Sequence, residues 1–241
     1  MTDLRGRSAD DVLDFYRHLV EPKPGYVGYS ESTLKQALSK AASSLAPGKI
    51  ADLGCGPNPV VLFDLGARGW DLNAVDLSID FCDSALRNAE ARGVTLRVET
   101  ASVHETPFDD GEFDAVILSE TLEHVPDELE QPTIAETFRI LRPGGTLLLS
   151  VPNARSFFTR YQGWRLGAPI DHPQHLREYD HATVRGLLEN VGFKIVRALR
   201  VSATDQPPWR ARAAWAIDRM TIRPEWSLKV AVVALKPHRA E

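Results

Sequence analysis

The chain has 241 residues, of which 43% are hydrophobic and 25% are charged, and its formal net charge is −5 at pH 7. This length accommodates one α/β domain with additions but not two full domains. The mildly acidic balance argues against a general nucleic-acid binder, which would present a broad basic face. Two cysteines fit a reducing cytoplasm better than a disulfide scaffold, and we expect neither a signal peptide nor a transmembrane segment.

The first part of the chain predicts a helical cap over residues 1–45. Residues 8–20 and 30–45 have helical spacing, with Ser8 and Ser30 as candidate N-caps. The prolines and glycines between them, which continue into the loop 24–29, break the chain between the two helices.

From residue 49 onwards, strands alternate with helices. We predict strands near 49–53, 71–76, 94–100, 113–119 and 145–151, and helices near 59–67, 79–92 and 128–141. The segment 143–145, Pro-Gly-Gly, is expected to end the third of these helices and to turn the chain. A helix near 181–190 ends at Gly192, and strand-like runs follow at 193–201 and 228–235. This alternation predicts an α/β fold with a parallel sheet covered on both faces.

The segment 49–59, Lys-Ile-Ala-Asp-Leu-Gly-Cys-Gly-Pro-Asn-Pro, is the most informative motif. It predicts a buried strand that runs into a glycine turn and a new helix, and Gly54 and Gly56 lack the Cβ atoms that would keep a ligand away from the backbone. About twenty residues later the second strand ends at Asp76, where α/β nucleotide folds bind a ribose diol. The pyrophosphate fingerprint would require glycine at position 59, which is Pro59 here. The loop therefore favours a nucleoside without a pyrophosphate.

These residues resemble a known family. The segment 52–56, Asp-Leu-Gly-Cys-Gly, resembles motif I of the class I S-adenosylmethionine-dependent methyltransferases, and Asp76 resembles their ribose-binding acid. The segments 141–145 and 191–193 resemble the family's entries to its fifth and sixth strands. The resemblance covers roughly residues 45–236. It implies a three-layer, Rossmann-like sandwich whose seven-stranded sheet is mostly parallel and ends in an antiparallel C-terminal hairpin. The methyltransferase domain would span 46–241, with substrate-side insertions near 154–180 and 204–224.

The resemblance also implies how S-adenosylmethionine, and S-adenosylhomocysteine as product, would bind. Asp76 would accept hydrogen bonds from both ribose hydroxyls, and Asp52 would reach the ammonium group, unless it only caps its strand end. Many relatives place an aspartate against adenine where this chain has Ser102. The residues expected to contact the cofactor are Asp52, Gly54, Cys55, Gly56, Pro57, Asp76, Leu77, Ser102, Val103 and Ser119.

A second group of polar residues follows the fourth strand, in the segment 119–125. If a helical turn begins there, Glu120 and Glu123 share one face, with His124 beside them. His175 lies after the fifth strand and so at the same edge of the sheet, whereas His172 is expected to face solvent. The group resembles the motif by which ubiquinone-pathway O-methyltransferases and small-RNA 3′-end methyltransferases hold a divalent ion such as Mg²⁺. In metal-free relatives the same segment is only a loop, in which Glu123 caps a helix and His124 packs or acts as a general base.

Three segments are candidates for choosing the substrate: 24–29, 155–167 and 208–220. The last two combine aromatic residues with arginines and can be read as a pocket for an aromatic or anionic molecule, as core stripes with solvated arginines, or as a dimer surface. The sequence thus favours methylation of a small molecule at a hydroxyl oxygen. N- or C-methylation, methylation of an RNA end, an NAD-dependent dehydrogenase and a non-catalytic cofactor-binding protein remain alternatives.

Overall fold

The computed structural model describes residues 3–19, 31–156, 174–201, 227 and 229–238. A 3₁₀ turn at Leu122–His124 follows the fourth strand. The helices are α1 (Ala9–Arg17), α2 (Glu31–Ala42), α3 (Val60–Gly66), α4 (Ile79–Ala91), α5 (Asp127–Ile140) and α6 (His181–Val191). The strands are β1 (Lys49–Leu53), β2 (Asp71–Asp76), β3 (Leu96–Thr100), β4 (Phe113–Ser119), β5 (Leu141–Pro152), β6 (Lys194–Leu199) and β7 (Lys229–Leu235).

All seven strands form one sheet in the order β3-β2-β1-β4-β5-β7-β6. The first five are parallel, and β7 pairs antiparallel with both β5 and β6. The predicted α/β class, the mostly parallel sheet and the antiparallel C-terminal pair are therefore confirmed. The chain moves outwards in one direction from β1 and in the other from β4, so the β1–β4 boundary is the switch point at which such sheets bind ligands.

Helices cover the sheet on two faces, each with its own apolar core. On one face α2, α3 and α4 pack around residues such as Leu38, Leu62 and Trp70. On the other, α5 and α6 pack around residues such as Ile134 and Leu188. The central strands contribute to both cores because their side chains alternate between faces.

The predicted cap at Ser8 and the predicted helix end at Gly192 are confirmed. The Ser8 side chain caps α1 by accepting a hydrogen bond from the Asp11 amide, and the Ser78 side chain caps α4 in the same way through the Phe81 amide. Helix α6 ends at Gly192, whose φ of +104° is in the left-handed region that glycine adopts easily.

The expectation of a turn at 143–145 is wrong. Strand β5 begins at Leu141, directly after α5, and the segment belongs to the strand. The register with β4 shifts there, from Phe113 opposite Leu141 to Ala115 opposite Thr146. The Gly144 amide donates to the Lys236 carbonyl, and the Lys236 amide donates to the Gly145 carbonyl. Proline and glycine are tolerated at such a strand irregularity, so they mark a shift in pairing rather than the end of an element.

Several sequence predictions lie outside the described residues: the Ser30 cap, the loop 24–29, His172, the segment 208–220, the insertion near 204–224, and most of the segment 155–167 and of the insertion near 154–180. Among the residues that are described, no helix combines the length and apolar character needed to cross a bilayer.

Candidate active site

The turn after β1 brings bare backbone to the switch point. The Gly54 and Cys55 amides both donate to the Val75 carbonyl of β2, at 2.9 and 3.1 Å. Gly54 has a φ of +78°, and a Cβ added to it would lie 2.5 Å from the Thr121 methyl carbon. Gly56 has a φ of +61°, but a Cβ added there would meet no described atom within 4 Å. Gly54 is therefore required by packing, whereas Gly56 faces open space.

The Asp76 carboxylate joins this turn to the next one. Its Oδ2 accepts a hydrogen bond from the Gly56 amide and its Oδ1 accepts one from the Ser78 amide, each at 2.9 Å. Burial raises the pKa of Asp76 above its ordinary value, and the backbone amides oppose that effect. A carboxylate oxygen accepts more than one hydrogen bond, so both oxygens retain the capacity to bind a diol.

Asp52, in β1, and Cys55, in the glycine turn, are both buried. Asp52 is 7% exposed, and burial, together with the Asp76 charge, raises the pKa of Asp52 to about 7. Burial also raises the pKa of the Cys55 thiol, which donates to the Gly56 carbonyl at 3.4 Å. The Pro57 carbonyl accepts a hydrogen bond from the Asn88 side chain of α4.

A cavity of about 250 Å³ opens beside Gly56 and Asp76 at the carboxyl ends of the strands. Eight residues of the predicted cofactor and metal sets line it: Gly54, Gly56, Asp76, Leu77, Ser102, Val103, Glu120 and His124. Six others are absent from its described lining: Asp52, Cys55, Pro57, Ser119, Glu123 and His175. The structure thus brings motif I, the β2 acid and His124 to one cavity.

Ser102, at the expected adenine position, has a neighbour that the sequence analysis missed. Its Oγ lies 2.6 Å from Nδ1 of His104, and both residues line the cavity. A serine whose hydroxyl proton is engaged by an imidazole presents its lone pairs to other donors. The signal was local, because His104 follows Ser102 by two residues in the same loop.

Glu120 does not share a helical face with Glu123, contrary to our expectation. The 3₁₀ turn begins at Leu122, and Glu120 precedes it with a φ of 55°, a conformation that non-glycine residues adopt rarely. Its carboxylate accepts a hydrogen bond from the Ser150 hydroxyl at 3.1 Å and forms an ion pair with Lys229 of β7. The Ser119 hydroxyl lies 2.8 Å from that of Ser150. Lys229 thus holds Glu120 towards β5 and β7.

Glu123, His124 and His175 form a tighter group, with one candidate ligand atom from each within 4.8 Å of the others. Glu123 is 1% exposed, and among the described residues its Oε2 has no hydrogen-bond partner. Burial and the nearby Glu120 charge raise the pKa of Glu123 well above its ordinary value. The Leu176 amide donates to the Glu123 carbonyl at 2.8 Å, which holds the segment carrying His175 against the 3₁₀ turn.

Helix α1 also contributes to the cavity, which the sequence analysis did not predict. Leu13, Tyr16 and Leu19 line it at a spacing of three residues, and the Tyr16 hydroxyl lies 2.8 Å from Nδ1 of His124. No motif marks Tyr16, and only its place on the apolar face of a predicted helix could have indicated a buried role. The other residues of the site that the sequence analysis did not name include Phe81, His104, Pro126, Leu129, Gln174 and Lys229.

Comparison with known proteins gives a consistent result. A family model described as a methyltransferase domain matches residues 26–198. The ubiquinone biosynthesis O-methyltransferase of Methylococcus capsulatus is 32% identical over 126 residues, which is 52% of this chain and 52% of that protein. The chain spans about half the length of the curated relatives that it matches.

Solved structures share the fold. A methyltransferase solved in complex with the Trm112 activator of Haloferax volcanii has a TM-score of 0.63 at 23% identity, over 88% of this chain and 92% of that one. The Burkholderia thailandensis 1,6-didemethyltoxoflavin-N1-methyltransferase, solved with its substrate and S-adenosylhomocysteine, has a TM-score of 0.63 at 19% identity, over 95% of this chain and 87% of that one. The family model spans most of the chain and the fold is that of solved methyltransferases, so this chain belongs to the class I S-adenosylmethionine-dependent methyltransferase family.

Proposed function

We propose that this protein transfers the methyl group of S-adenosylmethionine to a hydroxyl oxygen of a small molecule. The observation that carries the proposal is the open space at Gly56 beside the Asp76 carboxylate, because an adenosyl group needs bare backbone and a ribose acceptor in the same place. Asp52 is buried close to the cavity, and a bound ammonium group would favour its charged form. Ser102 and Val103 line the end of the cavity expected for adenine.

The donor supplies an electrophilic methyl group on sulfur, so the protein's tasks are alignment, exclusion of water and removal of one proton. In the transfer, an acceptor oxygen forms a bond to the methyl carbon as the carbon–sulfur bond breaks, and the hydroxyl proton must leave. His124 lines the cavity beyond the glycine turn and is the candidate base for that proton. Leu13, Phe81 and Leu129 provide apolar walls that limit water.

The choice of oxygen as the acceptor atom is supported by the name of the Methylococcus capsulatus relative and by a histidine at the site. We also propose a cytoplasmic location, since the two cysteines are buried and free.

Calorimetry with S-adenosylhomocysteine and with NAD tests the cofactor assignment. We expect micromolar or tighter binding of S-adenosylhomocysteine and no measurable binding of NAD. Incubation with methyl-labelled donor and a panel of phenols, catechols, carboxylic acids and amines then tests the reaction, with label expected on a hydroxyl oxygen. Preference for NAD would contradict the assignment of S-adenosylmethionine as cofactor. Label on nitrogen would contradict the choice of oxygen as acceptor atom. Tight binding without transfer to any compound of the panel would favour a non-catalytic protein.

Glu123, His124 and His175 also fit a divalent cation, so we propose that they hold one. The Glu123 Oε2 supports the proposal, because no described residue forms a hydrogen bond with it and a buried carboxylate oxygen without one is costly unless it is neutral or bound. An oxygen and two imidazole nitrogens suit several divalent ions. Such an ion would lower the pKa of a hydroxyl bound to it. Glu120 is outside this group because Lys229 neutralises it.

Removal of metal provides the test. We expect EDTA to abolish transfer, Mg²⁺ or Mn²⁺ to restore it, and the electron paramagnetic resonance of added Mn²⁺ to show one site that Glu123→Gln weakens at least tenfold. Glu136→Gln is a suitable comparison, because Glu136 is also largely buried but is bonded to Thr106 and Arg139. Full activity in EDTA together with unaltered Mn²⁺ binding in Glu123→Gln would refute the metal site and leave His124 as the base.

A further inference from the structure

Helix α1 lies outside the part of the chain that matches the methyltransferase family, which begins at residue 26. It nevertheless covers the cavity. Val12 is 1% exposed, and the neighbouring face of the helix lines the cavity through Leu13 and Tyr16. The family resemblance therefore says nothing of what this helix does, and its role must be inferred from its contacts.

Two hydrogen bonds attach the end of α1 to opposite sides of the cavity. On the cofactor side, the Ser78 hydroxyl donates to the Leu19 carbonyl at 2.7 Å, and the Ser78 amide in turn donates to Asp76. On the other side, the Tyr16 hydroxyl lies 2.8 Å from Nδ1 of His124, and the two rings meet edge to face at 5.6 Å. The helix thus bridges the ribose acid and the candidate base.

The atoms around Nδ1 of His124 determine which ring nitrogen carries the proton. The Gln174 carbonyl oxygen lies 3.0 Å from Nδ1 and can only accept a hydrogen bond, so Nδ1 must carry a hydrogen. The Tyr16 hydroxyl then accepts a share of that N–H and donates its own hydrogen to the Gln174 carbonyl, 3.4 Å away. In the opposite tautomer, a bare Nδ1 would face the carbonyl oxygen at 3.0 Å, lone pair against lone pair.

We infer that Tyr16 is a positioning residue: the Gln174 carbonyl keeps the hydrogen of His124 on Nδ1 and so the lone pair on Nε2, and the Tyr16 hydroxyl shares that N–H and fixes the orientation of the ring. The inference rests on the proposed function for its meaning, since Nε2 is then the atom that takes the acceptor's proton or binds an ion. A base must present the lone pair of one ring nitrogen in a fixed direction. A hydrogen bond formed by the other ring nitrogen is the usual means of fixing an imidazole. Helix α1 thereby supplies part of the site that the matched domain lacks.

Nitrogen-15 NMR of the full chain, selectively labelled on histidine and saturated with S-adenosylhomocysteine, tests this inference. At alkaline pH, where imidazoles are neutral, we expect His124 to show a protonated Nδ1 and an unprotonated Nε2, with an N–H proton that exchanges slowly. Tyr16→Phe keeps the packing but removes the hydroxyl that shares the N–H, so the N–H proton should exchange at least tenfold faster, while the Gln174 carbonyl still keeps the hydrogen on Nδ1. His124→Gln assigns the signal.

Tyr179→Phe is the matched control. The Tyr179 hydroxyl is also buried beside the 3₁₀ turn, but it bonds to Glu130 and to the Leu122 carbonyl. We expect its loss to lower thermal stability while leaving the His124 signal unchanged. A wild-type His124 protonated on Nε2, or an unchanged N–H signal in Tyr16→Phe, would overturn the inference. The same measurement on the protein without S-adenosylhomocysteine keeps this outcome separate from the proposed function, which is tested by nucleoside binding and methyl transfer.

Discussion

Asp76 shows how one side chain serves both the fold and the site. Each of its oxygens accepts a backbone amide, one from the turn after β1 and one from the turn after β2, while the carboxylate also lines the cavity. The turns are therefore already arranged before a ligand binds, so the ordering cost of binding is reduced. The same arrangement means that a mutation here alters two properties at once.

Replacing Asp76 with alanine removes the ribose acceptor and two amide partners. We expect the affinity for S-adenosylhomocysteine to fall at least tenfold, because charge-assisted hydrogen bonds are worth about 1.5–3 kcal/mol each. The free energy of unfolding should fall by about 1–3 kcal/mol, with the fold retained. Calorimetry and denaturant unfolding measure the two effects. Asp71→Ala, at the exposed opposite end of the same strand, should leave the affinity within about twofold of wild type. Unchanged affinity in Asp76→Ala would place the ribose elsewhere.

At the scale of elements, the turn between β1 and α3 contains two glycines that are required for different reasons. Gly54 is required for its positive φ and because a Cβ at this position would collide with the Thr121 side chain. No described atom lies within 4 Å of a Cβ added to Gly56, so within the described protein only the positive φ requires glycine there. The empty side of Gly56 is where we place the ligand, so the two glycines should respond differently to an added methyl group.

Gly56→Ala tests that distinction, and Gly69→Ala is its control. Gly69, in the turn between α3 and β2, has a φ of +86° and, like Gly56, no described atom within 4 Å of an added Cβ. Both changes should cost about 1–2 kcal/mol of stability from left-handed backbone strain. Only Gly56→Ala should also weaken S-adenosylhomocysteine binding, by tenfold or more, because its methyl group enters the cavity. Equal affinities of the two variants for the nucleoside would remove the ligand from this turn.

At the scale of the whole molecule, three acids are buried around the switch point. Burial raises the pKa values of Asp52, Asp76 and Glu123 above their ordinary values. Each acid is therefore easier to bury when protonated, and the protein without its ligand should be less stable at alkaline pH than near its acidic isoelectric point. A bound ammonium group or metal ion would reverse this penalty by favouring the charged forms.

The stability difference between wild type and Asp52→Asn should depend on pH. The Asp52 pKa is raised from 3.8 to about 7, so its contribution to stability is fully present below pH 3.8, is lost as the pH rises to about 7 and changes no further above that. Each unit of pKa difference corresponds to about 1.4 kcal/mol. Asp52→Asn removes this dependence, so its Tm relative to wild type should rise between pH 5 and pH 7. Thermal unfolding of the ligand-free proteins measures the effect, and a difference in Tm that stays constant over this range would contradict the assigned pKa.

Patterns within a short stretch of chain determined much of this architecture. The alternation of apolar strands and helices, the cap at Ser8, the glycine turn and the acid twenty residues later are local, because each depends on neighbours within a few residues or on one strand–helix–strand unit. The exception within that range is the segment 143–145, where the same residues that end helices also occupy a strand irregularity, and only pairing with Lys236 decides between them.

The contacts that complete the site join distant parts of the chain, and the sequence carries no local sign of them. Tyr16 and His124 are 108 positions apart, and Glu120 and Lys229 are 109 apart. The first contact holds the ring of the candidate base, and the second draws the Glu120 carboxylate towards β7. Both depend on how α1 and β7 pack against the sheet, which is a property of the whole folded chain. Sequence alone determined the fold and the glycine turn and acid at one end of the cavity, because these are local, whereas tertiary packing decided which side chains meet at its other end.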